Sequence, residues 1–230
     1  KRQSAGGSGG FLYAKTSELT VSNVTAKETL SSGAGTIGCF GTLINAARLT
    51  LESNEARSGG AIFGLLCTVR LAESLIASNI AVEGDGGGIE LVRDSEIIAV
   101  NSTFRGNEAR NRGNGGALSF DSIIRANVAG CTFSQNKGGR GGGIAAVSSP
   151  VFLNSGNTFE FNMAEFGGGG ALFWSGTRLQ QLDADNVFTS NSARYGKNTA
   201  SDATTLYIVS TEDGVQRVQN LVTRNDQAFA

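Results

Sequence analysis

A two-part motif recurs at a nearly constant interval along most of this chain. The first part is an aromatic residue followed three positions later by Asn, as in Phe159 and Asn162, and the second is a glycine cluster ending in an aliphatic residue, as in GGAL at 169–172. The closing aliphatic residues are spaced by 25, 25, 27, 29, 26 and 28 positions and are Leu12, Ile37, Ile62, Ile89, Leu118, Ile144 and Leu172. Such a repeat predicts a solenoid, in which each unit packs on its neighbours.

The asparagines give a similar period independently. The Asn markers are Asn23, Asn54, Asn79, Asn107, Asn136, Asn162 and Asn191. The residues three positions before them are apolar in six of seven copies and are Thr20, Leu51, Ile76, Phe104, Phe133, Phe159 and Phe188. Both markers therefore indicate a unit of about 27 residues.

Short strands rather than helices are expected in each unit. The units are rich in Gly, Ser, Thr and Asn, and they contain strand-length apolar segments such as GIELV at 88–92 and VFLN at 151–154. A 3.6-residue apolar period is nowhere sustained. Two or three strands joined by tight turns would form one coil, which predicts an all-β parallel β-helix of about seven coils.

Stacking of equivalent residues assigns a role to each part of the motif. Successive coils lie about 4.8 Å apart, so the Phe positions would form an apolar column inside the tube. The Asn positions would form an amide ladder that satisfies backbone groups at a turn. The predicted structural residues are Phe104, Phe133, Phe159, Phe188, Asn54, Asn79, Asn107, Asn136, Asn162 and Asn191.

The repeat is least regular at its two ends. The connection from Asn23 to Ile37 is longer than its counterparts, which predicts an outward loop near residues 26–32. Residues 199–230 follow no repeat register, and a solenoid needs a unit that covers its last open rung. The chain is thus divided into β-helix repeats over 1–198 and, over 199–230, a C-terminal cap or the start of the next module.

Composition excludes several classes of function. The 19 basic and 20 acidic residues are well mixed, which provides no footprint for nucleic acid. There is no histidine, which removes His-based catalysis and His metal sites. The glycine runs repeat in register and are not followed by Gly-Lys-Ser/Thr, so they predict turns rather than phosphate loops. No cofactor is expected.

Carboxylates are the remaining candidates for catalysis. Asp94 and Asp121 do not share a register position, and the nearest approach to a pair is Asp183 and Asp185, expected on one strand face. A paired-carboxylate or Ca²⁺ site there is weighed against a solvated loop, which the sequence favours. Glu165 and Arg194 occupy the same slot of consecutive coils and are expected to form an exposed ion pair.

Three cysteines and two N-glycosylation sequons are the candidate positions for covalent modification. Cys39, Cys67 and Cys131 are too scattered for a metal site and are expected to be buried apolar groups, with a Cys39–Cys67 disulfide as the alternative. Asn23-Val-Thr25 and Asn101-Ser-Thr103 match the glycosylation pattern. Asn23 is expected to be shielded in the ladder, which leaves Asn101 as the candidate for glycosylation in a eukaryotic source.

The pairing of F-x-x-N with G-G-A-[ILV] resembles the repeat signature of the polymorphic membrane proteins, autotransporters of the chlamydial type whose repeats also occur in large protist surface proteins. The full pair is met by Phe104 and Asn107 with GGAL at 115–118, and by Phe159 and Asn162 with GGAL at 169–172. The resemblance covers about residues 11–198. It implies a right-handed parallel β-helix, exported to a surface, that acts as an adhesin or a structural rod.

These patterns favour a non-enzymatic, extracellular, structural or adhesive segment of a larger cell-surface protein. The expected partners are other surface or matrix proteins or glycans. Flanking domains of the same chain are also expected, because the first residues are typical of a fragment of a longer protein. The first alternative is a carbohydrate-active β-helix enzyme of the polysaccharide lyase or hydrolase kind. The second is a filament subunit that associates end to end.

Overall fold

A computed structural model describes residues 4–5, 9–177, 179–202, 206–212 and 215–221. The described residues form strands, turns and bends without any helix, and the strands stack in parallel as a β-solenoid of about seven turns. The predicted all-β parallel β-helix is therefore confirmed.

Four parallel sheets run along the rod, and each coil contributes one strand to each sheet. Sheet A contains β1 (Ser4–Ala5), β5 (Leu30–Ser31), β9 (Glu55–Ala56), β13 (Ile80–Ala81), β17 (Glu108–Ala109), β21 (Lys137–Gly138), β25 (Met163–Gly168) and β29 (Ser192–Tyr195). Sheet B contains β2 (Leu12–Lys15), β6 (Ile37–Phe40), β10 (Ile62–Leu65), β14 (Ile89–Val92), β18 (Leu118–Asp121), β22 (Ile144–Val147), β26 (Leu172–Ser175) and β30 (Thr199–Ser201).

The two other sheets follow sheet B along the chain. Sheet C contains β3 (Glu18–Ser22), β7 (Leu43–Ala47), β11 (Thr68–Ala72), β15 (Glu96–Val100), β19 (Arg125–Ala129), β23 (Val151–Leu153) and β27 (Gln181–Leu182). Sheet D contains β4 (Thr25–Lys27), β8 (Thr50–Glu52), β12 (Leu75–Ala77), β16 (Thr103–Arg105), β20 (Thr132–Ser134), β24 (Thr158–Glu160) and β28 (Val187–Thr189).

After β30 in the sequence, the described residues form an antiparallel hairpin of β31 (Leu206–Glu212) and β32 (Val215–Leu221). Sheet B itself extends to Ser201, because β30 pairs in parallel with β26. Residues 222–230 of the predicted cap lie outside the described residues. The division at residue 198 and the capping role stay predictions.

Each coil has four strands instead of the two or three expected. The additional strands are short, with only two or three residues in most members of sheets A and D. Corners between the strands are made by single residues with positive φ, many of them non-glycine, such as Arg48 at 52° and Ser78 at 54°. Because glycine does not mark these corners, the sequence pattern merges strands that the structure separates.

The predicted outward loop at residues 26–32 is wrong. Ala26 and Ser31 are buried, and the segment supplies β4 and β5 to the sheets. Thr29 holds the ladder position of this coil, and its backbone N–H donates to Oδ1 of Asn54 at 3.0 Å. Eight residues separate Thr29 from Ile37, as they separate Asn54 from Ile62, so this coil has no insertion.

The interior of the tube is built from columns of stacked side chains. Rings of Phe104 and Phe133 stack with centroids 4.8 Å apart, those of Phe133 and Phe159 at 4.6 Å, and those of Phe159 and Phe188 at 5.0 Å. Interplanar angles of 4–7° show that the rings are nearly parallel. The coil spacing imposes this geometry, since each ring stands on the equivalent residue of the next strand in sheet D.

The asparagines form a continuous amide ladder at the corner between sheets D and A. In the central rung, Nδ2 of Asn136 donates to Oδ1 of Asn162 at 2.9 Å and to the carbonyl oxygen of Phe104 at 2.9 Å. Oδ1 of Asn136 accepts from both the backbone N–H and Nδ2 of Asn107, each at 3.0 Å. The same pattern links the residues Asn54, Asn79, Asn107, Asn136, Asn162 and Asn191.

Glycine at one position of the turns between sheets A and B, up to Gly170, allows adjacent coils to touch. A side chain on Gly116 would collide with the carbonyl oxygen of Gly142 in the next coil and with the backbone of Lys137. Since those atoms belong to the backbone, they cannot give way without moving a coil. The GG pair of the motif is thus required by close backbone approach.

One disulfide links two successive coils of the tube. Cys39 of β6 and Cys67, which lies just before β11, are bonded, with Cα atoms 6.4 Å apart. Cys131 is buried, and its thiol lies 3.4 Å from the carbonyl oxygen of Ala99. The cysteines therefore combine the two expectations, one disulfide and one buried apolar group.

Replacing Asn136 with Ala should destabilise the rod strongly. The substitution leaves two donors of Asn107 and the carbonyl oxygen of Phe104 without partners in the interior, at about 1–3 kcal/mol for each buried group, or about 3–5 kcal/mol in total after relaxation. Urea denaturation followed by circular dichroism measures this loss. Asn127→Ala, on the outer face of β19 in the same coil, is the control and should change the unfolding free energy by less than about 0.5 kcal/mol. Equal stabilities of the two variants would contradict the role of the ladder.

Candidate functional site

The ten predicted structural residues lie inside the tube. All are buried except Phe188, which is half-buried in the last rung of its column. Because hydrogen bonds and ring stacking occupy these side chains, none is available to a ligand. Surface side chains that differ from coil to coil are therefore the places to look for function.

The predicted acidic site at 183–185 is a turn rather than a strand face. Asp183 follows β27 and accepts hydrogen bonds from Oγ of Ser155 at 3.1 Å and from Nε2 of Gln181 at 2.8 Å. Asp185 is exposed in the turn. The expected common strand face is thus wrong, and the geometry is that of a solvated turn.

The predicted ion pair between Glu165 and Arg194 is also wrong. The carboxylate of Glu165 pairs with Nζ of Lys137 at 3.1 Å, and Nζ of Lys137 also lies 3.3 Å from Glu108. Nε of Arg194 donates to the backbone carbonyl oxygen of Glu165 at 3.3 Å. Lys137 lies in the coil between those of Glu108 and Glu165, and its ammonium group pairs with both carboxylates in place of Arg194.

The structure brings three carboxylates together on the outer face of sheet B, which the sequence did not suggest. Glu90 of β14 accepts a hydrogen bond from Oγ of Ser58, and Asp85 in the preceding turn accepts one from the backbone N–H of Asn114 at 2.7 Å. Asp121, at the end of β18, is close enough to act on both by charge repulsion. We call Asp85, Glu90 and Asp121 the acidic cluster.

Burial sets the electrostatics of the acidic cluster. It raises the pKa of Glu90 to about 7; the hydrogen bond from Ser58 opposes the shift, and the negative charges of Asp85 and Asp121 add to it. Burial likewise raises the pKa of Asp85, against the hydrogen bond from Asn114. A carboxylic acid that keeps its proton near neutral pH can serve as a general acid.

One sequence signal could have identified Glu90. The residues aligned with it lie on the side of sheet B away from the tube interior, and most are small or apolar: Tyr13, Gly38, Phe63, Ser119, Ala145, Phe173 and Ala200. A glutamate in such a column breaks the pattern. The proximity of Asp85 has no such signal, since it depends on how the turn before β14 folds.

A second surface feature is an exposed group of large apolar side chains in the sixth and seventh coils. Phe161, Met163, Phe166 and Tyr195 are 56, 38, 42 and 46% exposed. Phe161 and Phe166 flank Met163 in sequence, and Tyr195 belongs to β29, which pairs with β25. We call these four residues the aromatic patch.

The backbone of the aromatic patch departs from the regular repeat. Phe161 has φ of 56°, as is regular at this corner, but it places a bulky residue in a conformation that costs such a residue energy. The equivalent corners in neighbouring coils carry Gly106, Gln135 and Ser190. In addition, β25 has six residues where most strands of sheet A have two, and its pairing with β29 shifts register between Ala164 and Gly168. Strain and bulges of this kind concentrate at functional positions.

Two arginines approach the ring of Phe166. The guanidinium carbons of Arg112 and Arg194 lie 5.5 and 5.9 Å from its centroid, within the range of cation–π attraction. These contacts favour one orientation of an exposed ring. An ordered, amphipathic patch of this type suits binding to a protein or sugar surface.

The outer face of sheet C forms a shallow groove of about 330 Å³ beside the small side chains of Ala47 and Ala72.

The described part of the chain contains no group of three Cys, Asp or Glu residues placed to hold a metal ion. Within those same residues no helix is long and apolar enough to cross a membrane.

Both sequons lie on the outer corner between sheets C and D. Asn101 is exposed, and Asn23 is exposed as well, with its Oδ1 accepting a hydrogen bond from Nε of Arg48 at 2.8 Å. The expectation that Asn23 is shielded in the amide ladder is therefore wrong. Thr29, six residues later, occupies the ladder position instead.

No known protein family matches this chain, and no curated protein or solved structure does so either.

Replacing Glu90 with Gln should stabilise the protein at alkaline pH. The pKa of Glu90 in the folded chain, about 7, lies above the ordinary value of 4.5 for the unfolded chain, so the folded state holds the proton more tightly. Stability therefore falls as pH rises from 4.5 towards 7, and the loss is complete above that range. Glu90→Gln removes the loss, on the order of 1–3 kcal/mol at pH 8 and little at pH 4.5.

Thermal unfolding of both proteins at pH 4.5, 6 and 8 measures this difference. Glu28→Gln, at an exposed corner, is the matched control and should not change the pH profile. A melting temperature of Glu90→Gln that follows wild type at every pH would contradict the burial of an ionisable carboxyl at this position.

Proposed function

We propose that this chain is a non-enzymatic, extracellular β-helix segment of a larger cell-surface protein, with a structural and adhesive role. The observation that carries the proposal is the separation of repeated and unrepeated residues. The repeated Phe and Asn residues are inside the tube, whereas the aromatic patch stands exposed on the sixth and seventh coils, where β25 and β29 pair irregularly. Repeated interior residues build the rod, and exposed aromatic residues are typical anchors of an interface.

An oxidising, extracellular compartment is part of this proposal. The Cys39–Cys67 disulfide supports it, since disulfides persist mainly outside the cytosol. Relationship to the polymorphic membrane protein repeats is proposed on the motif copies alone, which occur at the right period over about residues 11–198.

The proposed partners are surface or matrix proteins or glycans, which would contact the aromatic patch. Phe161 and Phe166 supply apolar area with few rotatable bonds, and Arg112 and Arg194 add donors at the rim. Flanking domains of the same chain would meet the two ends of the rod, where the first and last strands that the structure describes in each sheet have a partner on one side.

The adhesive role is tested with beads that carry the full chain. Beads coated with wild type should be retained under flow on a cell-free matrix deposited by cultured fibroblasts, and the double variant Phe161→Ser/Phe166→Ser should lower retention by about tenfold or more, as expected for loss of aromatic anchors. Ile124→Ser, which removes an apolar side chain of 60% exposure outside the patch, is the matched control and should leave retention unchanged.

Two outcomes would contradict this proposal. Wild-type beads retained no better than uncoated beads would remove the adhesive role. Failure of a membrane-impermeant biotin reagent to label the chain on intact cells of its source would remove the surface location.

A second candidate is a carbohydrate-active enzyme, favoured by the acidic cluster. Glu90, with a pKa of about 7, would act as general acid, and Asp121 would supply the second carboxyl group of the pair. If the chain is such an enzyme, the purified protein should release reducing ends from a panel of neutral and uronic-acid polysaccharides. Glu90→Gln should then lower the rate of release by about 100-fold or more. Glu28→Gln serves as the control that keeps the rate. Absence of cleavage by wild type on the whole panel eliminates the candidate.

A further inference from the structure

The two sequons occupy equivalent positions on the rod. Residues Ser22 and Val100, which precede the two sequon asparagines, align through the pairings of sheet C. The next residue in each coil is a corner with positive φ, at 55° in Asn23 and 48° in Asn101. Both asparagines therefore project from the same edge between sheets C and D.

The hydroxyl residue of each sequon also belongs to a column. Thr25 and Thr103 lie at the first position of β4 and β16 in sheet D, and the column of residues aligned with them is Thr25, Thr50, Leu75, Thr103, Thr132, Thr158 and Val187. Side chains of this column face outward, because the residue after each belongs to the buried column that includes the Phe stack. A coil with asparagine at this corner therefore contains a sequon when threonine occupies the column position two residues later.

The corner residues between the two sequons support an accessible edge. Arg48 and Glu73 hold the corner in the intervening coils, with side chains 56 and 62% exposed and charged groups 3.7 Å apart. Three coil steps separate Asn23 from Asn101, which is about 14 Å along the rod. An enzyme could reach either asparagine from the same side.

We propose that Asn23 as well as Asn101 is an N-glycosylation site, so that the rod carries two oligosaccharides on one edge. The transfer forms a bond between Nδ2 of the asparagine and the anomeric carbon of an oligosaccharide, and breaks the bond from that carbon to the pyrophosphate of a lipid-linked donor. The amide proton and the lipid pyrophosphate leave, and nothing is oxidised or reduced. The inference rests on the extracellular location in the proposed function, because the donor enzyme acts in the secretory pathway.

The modified edge and the proposed adhesive surface are different parts of the coil. The glycans would stand at the corner between sheets C and D, whereas Met163 and Phe166 of the aromatic patch belong to β25 in sheet A. The width of sheet D separates the two features, so that one edge is covered by sugar and another is left to a partner.

Site occupancy tests the inference directly. The full chain is secreted from cultured eukaryotic cells behind a cleavable leader, treated with peptide-N-glycosidase in ¹⁸O water, and digested for mass spectrometry. Both Asn23 and Asn101 should carry the ¹⁸O-labelled aspartate that marks a removed glycan. Thr25→Ala and Thr103→Ala should each remove one electrophoretic shift, and Thr50→Ala, in the same column beside Arg48, should retain both.

Labelling of Asn101 alone, or of neither asparagine, would overturn the proposal. Retention on matrix is measured with chain made in bacteria, which lacks these glycans, so failure of the adhesive role and failure of glycosylation are recorded separately.

Discussion

A buried stack of asparagine side chains is the interaction on which this rod depends. Each amide satisfies a backbone N–H and a carbonyl oxygen of the preceding coil, in an interior where unpaired polar groups are costly. Since the stack joins one residue from every coil between Asn54 and Asn191, it also fixes the register of all four sheets. A slip of one residue would turn the inward columns outward, so the ladder specifies the fold as well as stabilising it.

The ladder and the Phe stack could be predicted from the sequence, because each requires the same residue type at the same place in each coil. The prediction failed where a different residue type fills the equivalent position. Thr29 takes the first ladder position with its backbone N–H alone, and Asn23 is misread as a ladder residue because it lies near the right interval. The corners were missed for a related reason: Arg48 and Ser78 adopt positive φ without glycine to mark them.

The candidate surfaces were harder to predict because they are not repeated. Glu90 and Asp85 meet only when the turn before β14 folds beside sheet B, and no periodic signal describes that turn. The aromatic patch has one member inside the motif itself, Phe161, whose neighbour Asn162 points inward while its own ring is exposed. A repeat that dictates inward residues leaves the adjacent outward ones free to change, which is how one scaffold can present different surfaces on different coils.

The amides of the ladder all point the same way. Every Nδ2 donates to the next coil and every Oδ1 accepts from the previous one, until the amide of Asn191 meets Oδ1 of Asn198 at 3.2 Å. Sheet backbones carry little net dipole, whereas these side-chain dipoles add along the axis. The ladder therefore contributes a partial positive charge at its Asn191 end and a partial negative charge at its Asn54 end, which is opposite to an α-helix. Two such rods stacked head to tail would bring unlike poles together, and any head-to-head arrangement would oppose like ones.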